Sequence, residues 1–429
     1  MNRRRFLRAS TASLAASGLS PKQELRASLA GAGRATGIAP ALPFQGVSSG
    51  LRITGVRVVD PKPKSPENFW AWLQNTIIAN PMSIYPKYKQ QRSSWRSQKM
   101  RDAVWVEITT NKGITGYGKT EGGGAARYII EEHFAGLLEN EDPFDVERLW
   151  DVMFRSSLPY GRKGVAIFAI SAVDLALWDI IGKAHNQPVY KVLGGRTKDK
   201  IPAYATGNDV ENYVNFNYHG VKLAIPYGPA DGVAGMRKNE QLVKESRATV
   251  GPDLMLMLDC YMAWDVPYTI AMAHRLEPYN VHWIEESLIP DDYRGYGQIT
   301  QEISSTLIAT GEHEYTRWGF QHLLDHKGAD VLQPDINWCG GMTEIRRIAA
   351  MAAGHGLPVI PHQGGTVWGL HFLMATPNAP LAESIGPSRR IDEERRSFMR
   401  AVTLLPDEDG YVVPPERPGF GLDITPYLA

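Results

Sequence analysis

Five ionisable residues close five successive apolar runs in the second half of the chain, at nearly constant spacing. Asp259 ends LMLMLD, Glu285 ends VHWIE, Glu312 ends TLIATGE, Asp335 ends ADVLQPD and His362 ends LPVIPH. The steps between them are 26, 27, 23 and 27 residues, each the length of one strand plus one helix. That is the period of a (β/α)8 barrel, in which catalytic groups collect where the parallel strands end. Three carboxylates followed by an Asp and a His form a hard-metal site beside an acid/base dyad. The spacing therefore points to a metal-dependent enzyme.

Composition narrows the partners. The 46 Lys+Arg balance 46 Asp+Glu, so no net field recruits nucleic acid or an anionic membrane. With 429 residues, 43% of them hydrophobic, the chain can bury one large core and a smaller domain. No run of 18 apolar residues occurs, and no membrane span is expected beyond the N-terminal segment. Cys260 and Cys339 are too few for a metal cluster and are expected to be free thiols.

The first residues belong to a different class. Arg3-Arg4-Arg5-Phe6-Leu7-Arg8 precedes a mildly apolar, Ala/Ser-rich stretch from Ala9 to Ser20, which resembles a twin-arginine export signal. Ala30-Gly31-Ala32 offers a small-residue cleavage site. The expectation is a periplasmic or otherwise exported protein, with a basic tail on a cytoplasmic one as the alternative. Residues 1–45 are set aside from the fold.

Leu51 to Val59 and Val104 to Thr109 read as strands, with Thr115 to Lys119 returning after the Gly113/Gly116 turn. Between them, Asn68 to Trp95 has no period and reads as a lid. Ala125 to Glu139, Val146 to Arg155 and Val165 to Lys183 have helical spacing. Strand and helix then alternate from Ile201 to Ile385. The expected fold is α/β: a modified (β/α)8 TIM barrel with an α+β capping domain built from the N-terminal region and the C-terminal segment. The expected divisions are capping domain 46–163, barrel 164–385 and a Pro-rich segment 386–429 packing on the capping domain.

Several stretches carry a family resemblance: Ser171-Ala-Val-Asp-Leu-Ala-Leu-Trp-Asp179, Tyr227-Gly-Pro-Ala-Asp-Gly232, Leu258-Asp-Cys260, Trp283-Ile-Glu-Glu286, Gly311-Glu-His313, Gln333-Pro-Asp335 and Pro361-His362. Together, over about residues 50 to 422, they resemble the mandelate racemase/muconate lactonizing enzyme branch of the enolase superfamily, and within it the L-rhamnonate dehydratase group. The resemblance implies one Mg²⁺ held by Asp259, Glu285 and Glu312, oxygen donors suited to a hard cation. Glu286 is assigned away from the site because strand alternation sends it to the other face. Asp335 and His362 resemble the family's acid/base dyad, the carboxylate orienting the imidazole and favouring its cation. A His or Lys base working beside Mg²⁺ is the pattern of this superfamily.

Many relatives carry Lys-x-Lys at the end of the second barrel strand, the second lysine serving as a base. Here the run is Lys222-Leu-Ala224. With a base evident on one substrate face only, elimination fits better than two-base racemisation. The resemblance further implies a substrate contact from Arg92 and, if protonated, a partner for the enolate oxygen in Glu383; Lys222 and His313, the latter beside a metal ligand, are further candidate substrate contacts. The reaction so implied is dehydration of an acid sugar to a 2-keto-3-deoxy acid, in a homo-oligomer such as a dimer or octamer. An epimerase and a non-catalytic sugar-acid binding protein are the alternatives. The lid departs from the group: Phe69-Trp-Ala-Trp-Leu-Gln74 precedes Asn80-Pro-Met-Ser83 without the group's histidines. That leaves the sugar open.

Overall fold

Three strands open the described chain. β1 (Ile53–Val59), β2 (Val104–Thr110) and β3 (Thr115–Thr120) form an antiparallel sheet in that order. The computed structural model describes residues 49–62, 78–88, 102–385, 402–403 and 405–428; the export signal, Arg92 and the tryptophans of the lid lie outside them. Gly50–Ala429 forms one unit.

β3 carries glycine at every second position on one face, Gly116 and Gly118. A Cβ at either would collide with the backbone of Ala176 or Ala172. Those alanines belong to helix α2 (Val165–Ala184), which follows α1 (Val146–Ser157). The missing side chains let a helix backbone settle directly on a strand, so α2 packs on the sheet and also on a barrel helix. By length and composition α2 could cross a membrane, yet most of it is buried inside the protein. Its two acids show why it belongs there. Asp174 Oδ2 accepts from Thr343 N–H at 2.9 Å, and Asp179 accepts from Tyr117 N–H, Lys183 Nζ and Phe420 N–H at 2.7–3.0 Å. Buried carboxylates persist only with such partners.

The barrel strands are β4 (Ile201–Thr206), β5 (Gly220–Ala224), β6 (Met255–Asp259), β7 (Trp283–Glu285), β8 (Leu307–Thr310), β9 (Val331–Leu332) and β10 (Ala382–Ile385). All pair in parallel, β10 beside β4 and the rest in chain order. Between them run α3 (Gly232–Val250), α4 (Val266–Leu276), α5 (Tyr293–Glu302), α6 (Thr316–Asp325), α7 (Gly341–Gly354) and α8 (Val367–Ala375). The apolar run before His362 is expected to be a full strand. It makes only a parallel bridge, Leu332 to Val359, because Pro358 and Pro361 have no N–H to give a ladder. The interior of the barrel floor is filled by Tyr204, Met257, Trp283, Ala309, Val331, Ile360 and Leu381, so it is a packed core and not a channel.

The C-terminal segment touches both the barrel and the N-terminal elements. β11 (Tyr411–Val412) pairs with β4, Gly419 N–H donates to Gln187 O at 3.0 Å, and Lys62 N–H donates to Tyr427 O.

Candidate active site

Strand register sets the first pair of acids. Asp259 and Glu285 are partners across β6 and β7, so both carboxylates emerge side by side where those strands end. Glu312 lies two residues past β8, beyond Gly311, whose φ of +129° suits glycine. Asp335 and His362 lie just beyond β9 and the Val359 bridge. All five expected residues therefore reach the C-terminal mouth of the barrel.

Asp335 and His362 form the expected pair, with Nδ1 of the imidazole 2.7 Å from Asp335 Oδ2. The other ring nitrogen, Nε2, lies 3.4 Å from Glu312 Oε1. Burial lowers the His362 pKa, but Glu312, Asp335 and Glu383 outweigh it and raise it to about 10. A cation held by Glu312 would weaken the strongest of those upward pulls and move the imidazole back toward neutral pH, where a base is useful.

Lys222 sits below the mouth, only 1% exposed, and bridges two carboxylates: Glu285 Oε1 and, at 2.7 Å, Glu383 Oε1. Its ammonium is thus committed to two acids rather than open toward a substrate. Glu285 Oε2 accepts from Trp283 Nε1 at 3.0 Å and Gln333 Nε2 at 2.7 Å. Burial raises the Glu285 pKa, and Asp259, Glu383 and Glu312 add to it against Lys222. Glu383 also accepts from Thr206 Oγ1 and, at 2.7 Å, from Gln363 N–H. Burial alone would raise its pKa, but Lys222, His362 and these donors hold it at about 2. In this arrangement Glu383 accepts from Lys222, Thr206 and Gln363, which favours its carboxylate.

Glu286 corrects the alternation argument. Its φ is +43°, so the strand geometry ends at Glu285 and the following side chain stays at the mouth. Both of its oxygens hold His313, one on the backbone N–H at 3.0 Å and one on Nδ1 at 2.7 Å. Donor atoms of Glu286, Glu312 and His313 all lie within 4.8 Å of one another. Burial lowers the His313 pKa, but Glu286 and Glu312 override this and raise it well above the usual value. Trp338 was not anticipated either. Its ring stands 5.1 Å from that of His362 and 5.7 Å from that of His313. Its place three residues after Asp335 was the available signal.

Among the described residues, the mouth carries six buried carboxylates: Asp259, Glu285, Glu286, Glu312, Asp335 and Glu383. Against them stand Lys222, His313 and His362, so acidic groups outnumber basic ones by 6 − 3 = 3. That excess and the all-oxygen donor set of Asp259, Glu285 and Glu312 fit a hard divalent cation.

The fold and this mouth set a histidine–carboxylate pair beside a carboxylate-lined pocket of the kind that suits a cation-dependent enzyme. Residues 206–428 match the family described as enolase C-terminal domain-like, and residues 80–194 match the mandelate racemase / muconate lactonizing enzyme N-terminal domain. The chain belongs to the mandelate racemase/muconate lactonizing enzyme branch of the enolase superfamily. It is 41% identical to the L-rhamnonate dehydratase of Saccharopolyspora erythraea over 360 residues, 83% of this chain and 91% of that one. Crystal structures of the L-rhamnonate dehydratase of Gibberella zeae, one of them complexed with Mg, match at a TM-score of 0.81 and 35% identity, covering 89% of this chain and 95% of theirs. The 3,6-anhydro-D-galactonate cycloisomerase of Zobellia galactanivorans matches at a TM-score of 0.69 and 27% identity, over 88% of this chain and 99% of that one.

Proposed function

We propose that this chain is a Mg²⁺-dependent acid-sugar dehydratase, a lyase, that removes water from a sugar carboxylate to give a 2-keto-3-deoxy acid. The observation that carries the reading is the His362–Asp335 pair at 2.7 Å, set against a barrel mouth whose second strand ends in Ala224. Ala224 packs with Ile78 and Tyr261, and its backbone N–H and C=O both bond the Asn208 side chain. That strand end supplies no proton carrier, which favours one-base elimination over racemisation. The relatives named dehydratases support the same reaction class.

Asp335 fixes Nδ1 of His362 and leaves Nε2 for the substrate. Nε2 takes the proton from C2, and Asp335 and Glu312 stabilise the imidazolium that results. The same nitrogen returns that proton to the departing C3 hydroxyl, so one C–H and one C–O bond break and water leaves. The enol then tautomerises to the ketone. Asp259, Glu285 and Glu312 would hold the Mg²⁺, which offsets the negative charge developing on the substrate carboxylate. His313, pinned by Glu286 and flanked by Tyr261 and Trp338, is suited to orient a polar substrate group. Export through the twin-arginine route is part of the proposal and rests on Arg3 to Arg8.

The test is a screen of purified protein with Mg²⁺ against four- to six-carbon acid sugars, L-rhamnonate included, with a carbonyl-trapping reagent reporting product. A chelator-sensitive hit fixes the reaction and the sugar together. A blank with C2 deuterium uptake from D₂O would instead support epimerisation.

A further inference from the structure

The loop that carries Asp335 is fastened from outside the barrel. Asn337 donates its backbone N–H to Asp335 Oδ1 at 2.6 Å. Its side-chain Nδ2 donates to Lys119 O at 2.7 Å, and its own carbonyl accepts from Thr120 Oγ1 at 2.8 Å. Lys119 and Thr120 end β3 of the N-terminal sheet. Further along the loop, Gly340 bonds Ser171 Oγ and Trp150 Nε1 at 2.9 and 2.8 Å. Thr343 bonds Asp174 and Trp178, both at 2.9 Å. Every one of these partners precedes the first barrel strand, β4, in the chain.

We propose that Asn337 is a positioning residue for the His362–Asp335 dyad, fixing the carboxylate by tying its loop to the end of β3. The inference rests on the reading of that pair as the proton-transfer dyad. A continuous line of hydrogen bonds runs from β3 through Asn337 to Asp335 Oδ1, and from Asp335 Oδ2 to His362 Nδ1. The Asn337 N–H faces Asp335 only while its peptide is held, and β3 holds that residue through its side-chain amide and its carbonyl. Thr120 is fully buried and Asn337 is 5% exposed, so water does not readily replace either bond. A base displaced by a fraction of an ångström loses rate at the chemical step, not in binding.

Asn337→Ala and Thr120→Val each remove one anchor and leave the dyad itself intact. The experiment measures single-turnover C2–H cleavage by the full-length, Mg²⁺-loaded protein, together with KM and thermal midpoint. Each variant should lower the cleavage rate constant by about tenfold, the loss of one buried hydrogen bond, with KM changed by less than about twofold. A merely structural role would shrink the amplitude, the fraction of competent protein, and leave the rate constant alone. That pattern, or an unchanged rate in both variants, overturns the proposal. His362→Asn tests the underlying reading separately: if that variant still cleaves C2–H, the dyad assignment fails whatever Asn337 does.

Discussion

Replacing Lys222 with Met separates the two candidates for the middle metal ligand. Lys222 lies between Glu285 and Glu383, all three no more than 1% exposed at the side chain. Removing the cation leaves two buried carboxylates uncompensated, which costs about 3–5 kcal/mol. The unit Gly50–Ala429 has 429 − 49 = 380 residues. At ~2.1 cal/mol/K per residue its unfolding entropy is ~0.8 kcal/mol/K, so the thermal midpoint in chelator should fall by about 4–6 °C. A cation bound at Glu285 neutralises one of the two orphaned acids. Saturating MgCl₂ should then restore about half of the loss, a rise of ~2–3 °C beyond the shift it gives the unsubstituted protein. Differential scanning calorimetry of both proteins, with chelator and with MgCl₂, reads this directly. Equal Mg²⁺ shifts would refute the reasoning: Lys222 would not adjoin a metal ligand, and Glu286 would replace Glu285 in the donor set.

Two further perturbations address the metal and the core. Glu312→Gln removes a charged oxygen donor and should lower turnover by at least ~10³-fold, several kcal/mol of charge stabilisation, while the Mg²⁺-dependent rise in thermal midpoint is lost; near-normal turnover would sink the metal assignment. His371 on α8 is fully buried, accepting from Tyr190 N–H at 3.1 Å on Nδ1 and donating from Nε2 to Phe420 O at 3.3 Å. Burial lowers its pKa from 6.5 to about 3. The unfolded chain therefore takes up this proton below pH ~6.5 while the folded one resists until about 3, so stability is lost as pH falls through that window. Between pH 7 and 5 the loss is ~1.5 units at 1.36 kcal/mol, about 2 kcal/mol. His371→Asn keeps an acceptor for Tyr190 and should remove that part of the pH dependence, and parallel stability–pH curves for the two proteins would contradict it.

What the sequence disclosed and what it hid follow from the range of each interaction. The positions of Asp259, Glu285, Glu312, Asp335 and His362 were legible because an apolar strand ending in a polar group is a local pattern repeated at a constant period. Their convergence followed from the barrel alone. The reading of Glu286 went astray for a local reason: alternation holds only while φ and ψ stay extended, and its positive φ ends the strand one residue earlier. The commitment of Lys222 to Glu285 and Glu383 was hidden because it joins β5, β7 and β10, over sequence distances that no periodicity encodes. Gly116 was read as a turn residue, whereas it and Gly118 lie in β3 and admit α2, visible only once the helix is docked.

These long-range contacts bear on why the N-terminal sheet accompanies the barrel at all. The metal-ligand candidates sit on strand ends or just beyond them, held by the parallel ladder, and need no help from another domain. Asp335 does not. β9 is two residues long and is stopped by Pro334, and the neighbouring run is cut by Pro358 and Pro361, so the ladder is weakest where the dyad must be placed. The bonds from Lys119, Thr120, Trp150 and Ser171 fall on that loop, and those from Asp174 and Trp178 on Thr343 in the first turn of α7 that follows it. The N-terminal elements thus supply to the Asp335 loop the constraint that the other strand ends draw from the sheet itself. A barrel separated from them would keep its carboxylates together and lose the geometry of its base.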